Sequence, residues 1–208
     1  MPKQLSKKMQ NQIEKAVEIM RKGGVVAYPT DTVYGLGAGI YNEDGIKRIY
    51  QIKKRSTKVA LPVLLADAAQ FHEVAMDLPP KAWQLVKNFM PGGLTLIVYR
   101  ARLISDSITA GGDTVALRIP DHPVPYALIR GLGMPIVGTS ANISGSPTLV
   151  SAEDVRRELG DSVDMVIDAE PAPNGTESTV IDVAGEIPVM LREGIISRAE
   201  IAKIVELG

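Results

Sequence analysis

The sequence VVAYPTDTVYGLG, residues Val25–Gly37, joins a short apolar run to a polar segment that contains glycines. The run from Val25 to Tyr28 contains β-branched residues and follows a Gly-Gly pair, which predicts a buried strand. In the segment from Pro29 to Gly37, hydroxyl and carboxylate groups can hydrogen-bond a polar ligand, and the glycines let the backbone approach it. The same residue types also cap turns, so a ligand loop and a simple turn both remain open.

Helix and strand patterns alternate outward from this segment. Apolar residues at helical spacing predict helices at residues 13–20, 43–53, 67–75, 80–89, 123–132 and 152–159. A last helix begins after Ser197, where Glu200 completes a capping box. Short apolar runs predict strands at residues 25–28, 61–66, 94–99, 114–119, 135–139, 165–168, 178–183 and 188–191. This alternation predicts an α/β fold with a mixed sheet, in a single domain spanning residues 1–208.

The composition narrows the classes of function. The chain has 208 residues and no cysteine, which excludes disulfides, thiolate zinc sites and a catalytic thiol. The N-terminus is polar and no apolar run is long enough for a membrane span, so we expect a cytoplasmic protein with no membrane partner. The net charge of −1 does not indicate a basic nucleic-acid-binding domain, although a local basic patch is compatible with it.

The run KKRSTK, Lys53–Lys58, is basic and lies directly before a predicted strand. Cations of this kind are favoured at a solvated helix C-terminus, where they meet the negative end of the helix dipole. They would also suit a clamp for a polyphosphate, with Arg as a bidentate fork and Lys as a mobile charge. The residues alone leave both interpretations open.

A polar, glycine-containing loop follows another predicted strand in PIVGTSANISGSPT, Pro135–Thr148. Its backbone N–H groups and hydroxyls suit a phosphate cradle. It is not a Walker loop, because no G-K-[ST] follows the glycines.

Two arginines stand in or beside apolar strands. Arg118 lies within one predicted strand, and Arg192 lies at the end of another. A charge in such a position is costly unless it is paired. We expect either an anionic ligand or an ion pair with an acid close in sequence, such as Asp121 or Glu193.

Seven runs follow one another in a characteristic order between Pro29 and Gly194: PTDTVYGLG, KKR, PGGLTLIV, ALRIPDHPV, GTSANISGSPT, ESTVID and LREG. The ordered set resembles the YrdC-like family of threonylcarbamoyl-AMP synthases, and the chain is identified as a member of that family. The resemblance implies an open, twisted mixed α/β sheet with flanking helices and a concave cavity.

The resemblance also implies a reaction. L-Threonine and bicarbonate would form a carbamate, whose oxygen attacks the α-phosphorus of ATP. Pyrophosphate would leave, and threonylcarbamoyl-AMP would remain. A downstream threonylcarbamoyl transferase complex would then use this product to modify an adenosine of tRNA.

Roles for individual residues are implied by the same resemblance. Catalytic contacts to the triphosphate would come from Lys53 and Arg55. L-Threonine would be bound by Thr32, Arg118, Gly138 and Ser178. ATP would be bound by Arg55, Thr114, Ser140, Asn142, Thr148 and Arg192. Mg²⁺ is expected to bridge phosphate oxygens through water and substrate, with no protein metal ligand.

The basic run departs from the family's pattern K-x-R-P-x-x-N-P-L. Ser56 and Ala60 replace the two prolines, and Val59 replaces the asparagine. We therefore expect a less rigid loop with one polar ligand contact fewer, which Lys58 could replace. The chain ends at Gly208, so we expect no additional C-terminal domain of the kind that longer family members carry.

Two other functions stay open. An RNA-binding protein without synthase activity, directed at tRNA or double-stranded RNA, would use the basic run and would need a basic face. A fold relative acting on a sugar phosphate would need an acid-rich metal site beside its phosphate loop, and the sequence contains no such cluster.

Overall fold

Helices and strands alternate along the part of the chain described by the computed structural model, residues 6–169 and 174–208. The α-helices are α1 (Lys7–Arg21), α2 (Glu43–Ile52), α3 (Phe71–Val74), α4 (Pro80–Phe89), α5 (Asp106–Thr109), α6 (Pro123–Leu132), α7 (Ala152–Leu159) and α8 (Arg198–Ala202). The strands are β1 (Val26–Tyr28), β2 (Gly35–Gly39), β3 (Val63–Leu64), β4 (Leu94–Tyr99), β5 (Thr114–Arg118), β6 (Ile136–Ser140), β7 (Met165–Val166), β8 (Thr179–Asp182) and β9 (Val189–Arg192).

The strands within the described residues form one nine-stranded sheet in the order β7-β1-β2-β6-β3-β5-β4-β8-β9. Three neighbouring pairs are parallel: β1 with β7, β3 with β5, and β4 with β8. The other neighbours are antiparallel. The sheet is therefore mixed, which confirms the fold class predicted from the sequence.

Each face of the sheet carries its own hydrophobic cluster. Successive residues of β1 alternate between the clusters, as the pleat of a strand requires: Ala27 faces the larger one and Tyr28 the smaller one. The larger cluster includes side chains from α2, α3, α4, α5, α7 and α8. The smaller cluster includes side chains from α1 and α6 and, within the described residues, none from β4, β5, β8 or β9. On this face of the sheet, α1 and α6 therefore leave the half formed by β4, β5, β8 and β9 uncovered.

Strand β2 was not predicted from the sequence, which left a ligand loop and a simple turn open there. Its residues, GLGAG, have low strand propensity. A Cβ atom on Gly37 would lie 2.6 Å from the carbonyl oxygen of Val137 and 2.8 Å from the hydroxyl of Tyr28. A Cβ atom on Gly35 would lie 2.9 Å from the same tyrosine ring. Tyr28 therefore fills the space that side chains on this face of β2 would occupy, and packing, rather than propensity, requires glycine.

Helix ends follow the predicted caps. The side chain of Ser197 accepts a hydrogen bond from the N–H of Glu200, and the carboxylate of Glu200 accepts one from the N–H of Ser197. Ser151 caps α7 by accepting from the N–H of Asp154. The bounds of α4 and α6 agree with prediction, whereas β3 is shorter than its apolar run and the four-residue α5 was not predicted.

Candidate active site

A cavity lies on the open half of the face that α1 and α6 cover only in part. It is lined by residues from both sides of the sheet centre: Thr30, Thr32, Val33, Tyr34, Gly35, Arg55, Ala60, Pro62, Leu64, Thr95, Arg118, Gly138, Thr139, Ser140, Glu177, Ser178 and Arg192. Leu64 and Arg118 are paired in the parallel β3–β5 register, so their side chains share this face. The cavity lining therefore combines arginine and hydroxyl side chains with apolar residues and glycines.

Arg118, at the end of β5, is the most buried cation of the cavity and is only 7% exposed. Its Nε donates to the carbonyl oxygen of Gly92 (2.9 Å), Nη1 to the hydroxyl of Thr32 (2.8 Å) and Nη2 to a carboxylate oxygen of Asp31 (2.6 Å). Burial lowers the pKa of this guanidinium, and Asp31 opposes the change. The ion-pair partner is thus Asp31, and the expectation of Asp121 is wrong, because the chain folds the PTDT segment onto the end of β5.

Arg192, at the end of β9, forms the second charged group of the cavity. Its Nε donates to the carbonyl oxygen of Ser178 (3.0 Å) and Nη2 to the hydroxyl of the same residue (3.2 Å). Its Nη1 forms an ion pair with a carboxylate oxygen of Glu177 (2.9 Å). Its partner is therefore Glu177 on the neighbouring chain segment and not Glu193, whose carboxylate accepts from the N–H of Arg198.

Two hydroxyls lie between the two arginines on this face of the sheet. The hydroxyl of Ser178 lies 2.9 Å from that of Thr95, and either atom can donate. Thr95 and Arg118 lie one residue beyond the Leu96–Leu117 pair of the antiparallel β4–β5 register, and both line the cavity. Because Arg192 donates to Ser178, the Ser178 proton is free for Thr95 or for a ligand.

Arg55 lines the cavity from the loop after α2. Its Nε donates to the carbonyl oxygen of Val59 (3.3 Å) and its Nη2 to that of Ala60 (2.9 Å). The hydroxyl of Tyr50 also donates to the Val59 carbonyl (3.1 Å). The absence of two prolines predicts a less rigid loop here. In the structure, side-chain hydrogen bonds from Arg55 and Tyr50 hold this loop in place.

Lys53 does not line the cavity, although its sequence position suggested a triphosphate contact. The residue is 2% exposed, and its ammonium donates to the carbonyl oxygens of Ser140 and Asn142, the latter at 2.8 Å. Its own carbonyl accepts from the N–H of Ser144 (2.8 Å). Burial and the nearby charge of Arg55 lower the pKa of Lys53 to about 8. Lys53 therefore connects the end of α2 to the serine-rich loop.

Further contacts fix this loop. The side-chain amide of Asn142 donates to the carbonyl oxygen of Ser146 (2.6 Å). A carboxylate oxygen of Glu158, on α7, accepts from the N–H of Ile143 (2.9 Å). Asn142 is buried within the loop and supports its shape, while Ser140 reaches the cavity.

The structure gathers most of the predicted site residues around one cavity. Those that line it are Thr32, Arg55, Arg118, Gly138, Ser140, Ser178 and Arg192. Those outside its lining are Lys53, Thr114, Asn142 and Thr148. Thr114 begins β5 opposite Tyr99, at the end of the strand away from Arg118. The predicted nucleotide contacts of these four residues stay predictions.

Sequence reasoning assigned no role to several residues that line the cavity, among them Thr95 and Glu177. Both lie inside recognised runs, PGGLTLIV and ESTVID. A polar residue within the apolar strand LTLIVY was the available signal for Thr95, which is only 4% exposed. For Glu177 the signal was its position next to Ser178.

The described residues contain neither a metal-binding cluster nor a membrane-spanning helix. Among residues 6–169 and 174–208, no three His, Cys, Asp or Glu side chains come together as a metal site would require. Over the same residues, none of the helices has the length and apolar character needed to traverse a bilayer.

Comparison with known proteins connects this site to a family. Residues 18–194 match the family model Sua5_yciO_yrdC, described as Telomere recombination. Threonylcarbamoyl-AMP synthase of Bacillus subtilis is 44% identical over 195 residues, which cover 93% of this chain and 56% of that relative. The chain thus spans little more than half the length of this relative.

Solved structures agree with this relationship. The crystal structure of P. abyssi Sua5 complexed with L-threonine matches with a TM-score of 0.90 at 38% identity, covering 94% of this chain and 58% of that one. E. coli YciO matches with a TM-score of 0.82 at 31% identity, covering 89% of this chain and 90% of that one. The chain therefore belongs to the Sua5/YciO/YrdC family.

Proposed function

We propose that the protein is a threonylcarbamoyl-AMP synthase, an enzyme of the nucleotidyltransferase class that uses L-threonine, bicarbonate and ATP. The names of its relatives support this proposal, as does the L-threonine bound by P. abyssi Sua5. The observation that carries it is the buried guanidinium of Arg118 among hydroxyls in an open cavity.

The amino acid would be recognised by Arg118. A guanidinium has five N–H donors, and protein groups occupy three of those of Arg118. One donor on each terminal nitrogen therefore remains for the carboxylate of L-threonine, in the two-pronged geometry that arginine favours. The hydroxyls of Thr32 and Ser178 would contact the rest of the amino acid, and Gly138 would allow close approach of the backbone.

The nucleotide would lie beside the amino acid. Arg55, Ser140 and Arg192 line the cavity and would contact ATP. We retain Thr114, Asn142 and Thr148 as proposed nucleotide contacts that would require the ligand to extend past the cavity lining. Lys53 would act in catalysis on the triphosphate, either by direct contact after its ammonium is released or through Ser140, to which it donates.

The chemistry requires positioning and charge stabilisation rather than a covalent enzyme intermediate. The carbamate oxygen of N-carboxylated threonine attacks the α-phosphorus of ATP, and the bond to pyrophosphate breaks, giving threonylcarbamoyl-AMP. Cations close to the phosphates stabilise the charge that develops on their oxygens. Holding both substrates in one cavity turns the reaction between them into an effectively unimolecular step.

Mg²⁺ would accompany ATP, bound by oxygens of its phosphates. The donor set agrees with that arrangement, because within the described part of the chain the cavity has one lining carboxylate, Glu177, which Arg192 already pairs. When bound, the ion would neutralise phosphate charge, and we assign it no protein ligand.

The setting of the reaction is part of the proposal. Bicarbonate would be the source of the carbamate carbon, and the product would pass to a downstream threonylcarbamoyl transferase complex for tRNA modification. We propose a cytoplasmic location and a single YrdC-like domain over residues 1–208.

Binding of tRNA or double-stranded RNA without synthase activity receives less support. The basic run does not form a continuous surface, since Lys53 is buried and Arg55 folds onto its own loop. Lys54 and Lys58 are the exposed cations of this run. Electrostatic binding of RNA needs several accessible cations.

Pyrophosphate release tests the synthase proposal. The protein is incubated with ATP and Mg²⁺, and release is measured with both L-threonine and bicarbonate, with each alone and with neither. We expect release only when both are present, together with a product of the mass of threonylcarbamoyl-AMP. Release that is independent of either co-substrate would contradict the proposal.

A further inference from the structure

Glu177 is the only carboxylic acid among the residues that line the cavity in the described part of the chain. Three arginines, Arg55, Arg118 and Arg192, line the same cavity. A cavity that contained only these cations would attract the carboxylate of an amino acid and repel its ammonium group. The acid therefore needs an explanation beyond the binding of phosphates, for which it is unfavourable.

The Glu177 carboxylate is held on one side and open on the other. Its Oε2 forms an ion pair with Nη1 of Arg192 at 2.9 Å, and its side chain is 40% exposed. No hydrogen bond to Oε1 is found within the described residues. One oxygen thus fixes the orientation of the carboxylate, and the other remains available to a donor in the cavity.

The backbone at Glu177 is tightly placed. Its carbonyl oxygen accepts from the N–H of Ile195 (3.0 Å). A Cβ atom on Gly194 would lie 2.3 Å from this oxygen, so only glycine permits the approach. The carboxylate therefore starts from a fixed point on the cavity wall.

Arg118, at the end of β5, and Glu177, two residues before β8, both line the cavity, and β4 lies between these two strands. Thr95 and Arg118 lie one residue beyond the Leu96–Leu117 pair of the β4–β5 register. The hydroxyl of Thr95 contacts that of Ser178, the residue next to Glu177. The cavity wall between the guanidinium of Arg118 and the carboxylate of Glu177 thus has a row of polar groups, with the hydroxyls of Thr95 and Ser178 between them. An amino acid lying along this row would present its carboxylate to one end and its ammonium to the other.

We propose that Glu177 binds the α-ammonium group of the amino acid substrate, opposite the carboxylate site at Arg118. This inference rests on the proposed function and adds a second charged contact to it. A positive and a negative group at two points recognise a zwitterion, and together they discriminate against simple carboxylic acids. The contact also holds the nitrogen that must react with bicarbonate in one place.

Paired ligands and variants test this contact by calorimetry. The ligands are L-threonine and the dihydroxy acid of matching configuration, in which a hydroxyl replaces the amino group. The variants are Glu177→Gln, which removes the charge but keeps the shape, and Glu186→Gln, a control at an exposed acid outside the cavity. We expect Glu177→Gln to weaken L-threonine about ten- to a hundredfold, as for a hydrogen bond to a charged group, and to change the dihydroxy acid little.

Other results of this experiment would overturn the inference. Equal weakening of both ligands would show that Glu177 acts only through Arg192 and would overturn the inference. The inference would also be overturned if Glu177→Gln kept the preference for L-threonine and bound ATP more tightly, since the acid would then be a competitor for Arg192. If the wild type bound no L-threonine, the proposed function would fail first and this inference with it.

Discussion

Arg118 is the residue on which amino acid recognition depends. Its side chain is anchored by the Gly92 carbonyl, Thr32 and Asp31, so its free donors have a fixed direction. In Arg118→Lys the positive charge stays near Asp31, but an ammonium cannot offer two parallel N–H groups to a carboxylate. We expect L-threonine affinity to fall about ten- to a hundredfold in calorimetry, with the protein still folded.

The matched control for this variant is Arg198→Lys. Arg198 begins α8 and donates to the carbonyl oxygen of Gly208, away from the cavity. Arg198→Lys should leave the affinity for L-threonine unchanged. Unaltered affinity in Arg118→Lys itself would mean that the carboxylate binds elsewhere in the cavity.

Lys53 illustrates the limit of sequence reasoning at the scale of a residue. Its place in a basic run suggested an accessible cation, yet its ammonium is buried against Ser140 and Asn142. Those acceptors lie 87 and 89 residues further along the chain. No local pattern could indicate that contact, because it depends on α2 meeting the loop after β6. Arg118 was easier to assign, since a charge inside an apolar strand is unusual wherever the chain folds.

At the scale of elements, strand β2 depends on its glycines. Gly37→Ala would push a methyl group to 2.6 Å from the Val137 carbonyl, a backbone atom of the paired strand β6 that cannot rotate away. Alanine restricts the unfolded chain, but that gain of under about 1 kcal/mol is smaller than the cost of overpacking. We expect Gly37→Ala to lower the free energy of unfolding by about 1–3 kcal/mol in urea titrations.

Gly39→Ala serves as the control on the same strand and the same face. Its Cβ atom would meet only the sulfur of Met134, at 3.3 Å, and that flexible side chain can move. The free energy of unfolding should change by less than about 1 kcal/mol. Equal losses in the two variants would show that strand propensity, and not the fit against Tyr28 and β6, limits the stability of β2.

Elements with local signals were predictable, and elements defined by distant packing were not. Amphipathic helices such as α4, α6 and α7 have the predicted bounds, because their starts and their periodicity are encoded within each segment: proline begins α4, and side-chain caps begin α6 and α7. Strand β2 was missed because the reason for its glycines is the ring of Tyr28 on the neighbouring strand. The cavity itself was foreseeable, since polar residues followed several predicted strands. The two ion pairs within it were assigned to the wrong acids, because sequence proximity was used in place of strand order.

At the scale of the whole molecule, the sheet is shared by both hydrophobic clusters. α1 and α6 pack on one face, and the single tryptophan, Trp83, packs on the other against Phe71 with ring centroids 5.6 Å apart. If the chain unfolds as one cooperative unit, damage on the α1 side must be felt at the tryptophan. A molecule with separable layers would show two transitions instead.

Val17→Ala tests this cooperativity. Val17 is 5% exposed and packs α1 closely onto α6, since a Cβ atom on Gly131 would lie 2.8 Å from one of its methyl groups. Removing two buried methyl groups should cost about 1–3 kcal/mol. We expect urea transitions followed by Trp83 fluorescence and by far-ultraviolet circular dichroism to move together to lower midpoints. Lys15→Ala, at an exposed position of α1, should shift neither. A fluorescence midpoint that stayed in place while the dichroism shifted would mean that the α1–α6 layer unfolds by itself, and the proposal of a single domain would then be wrong.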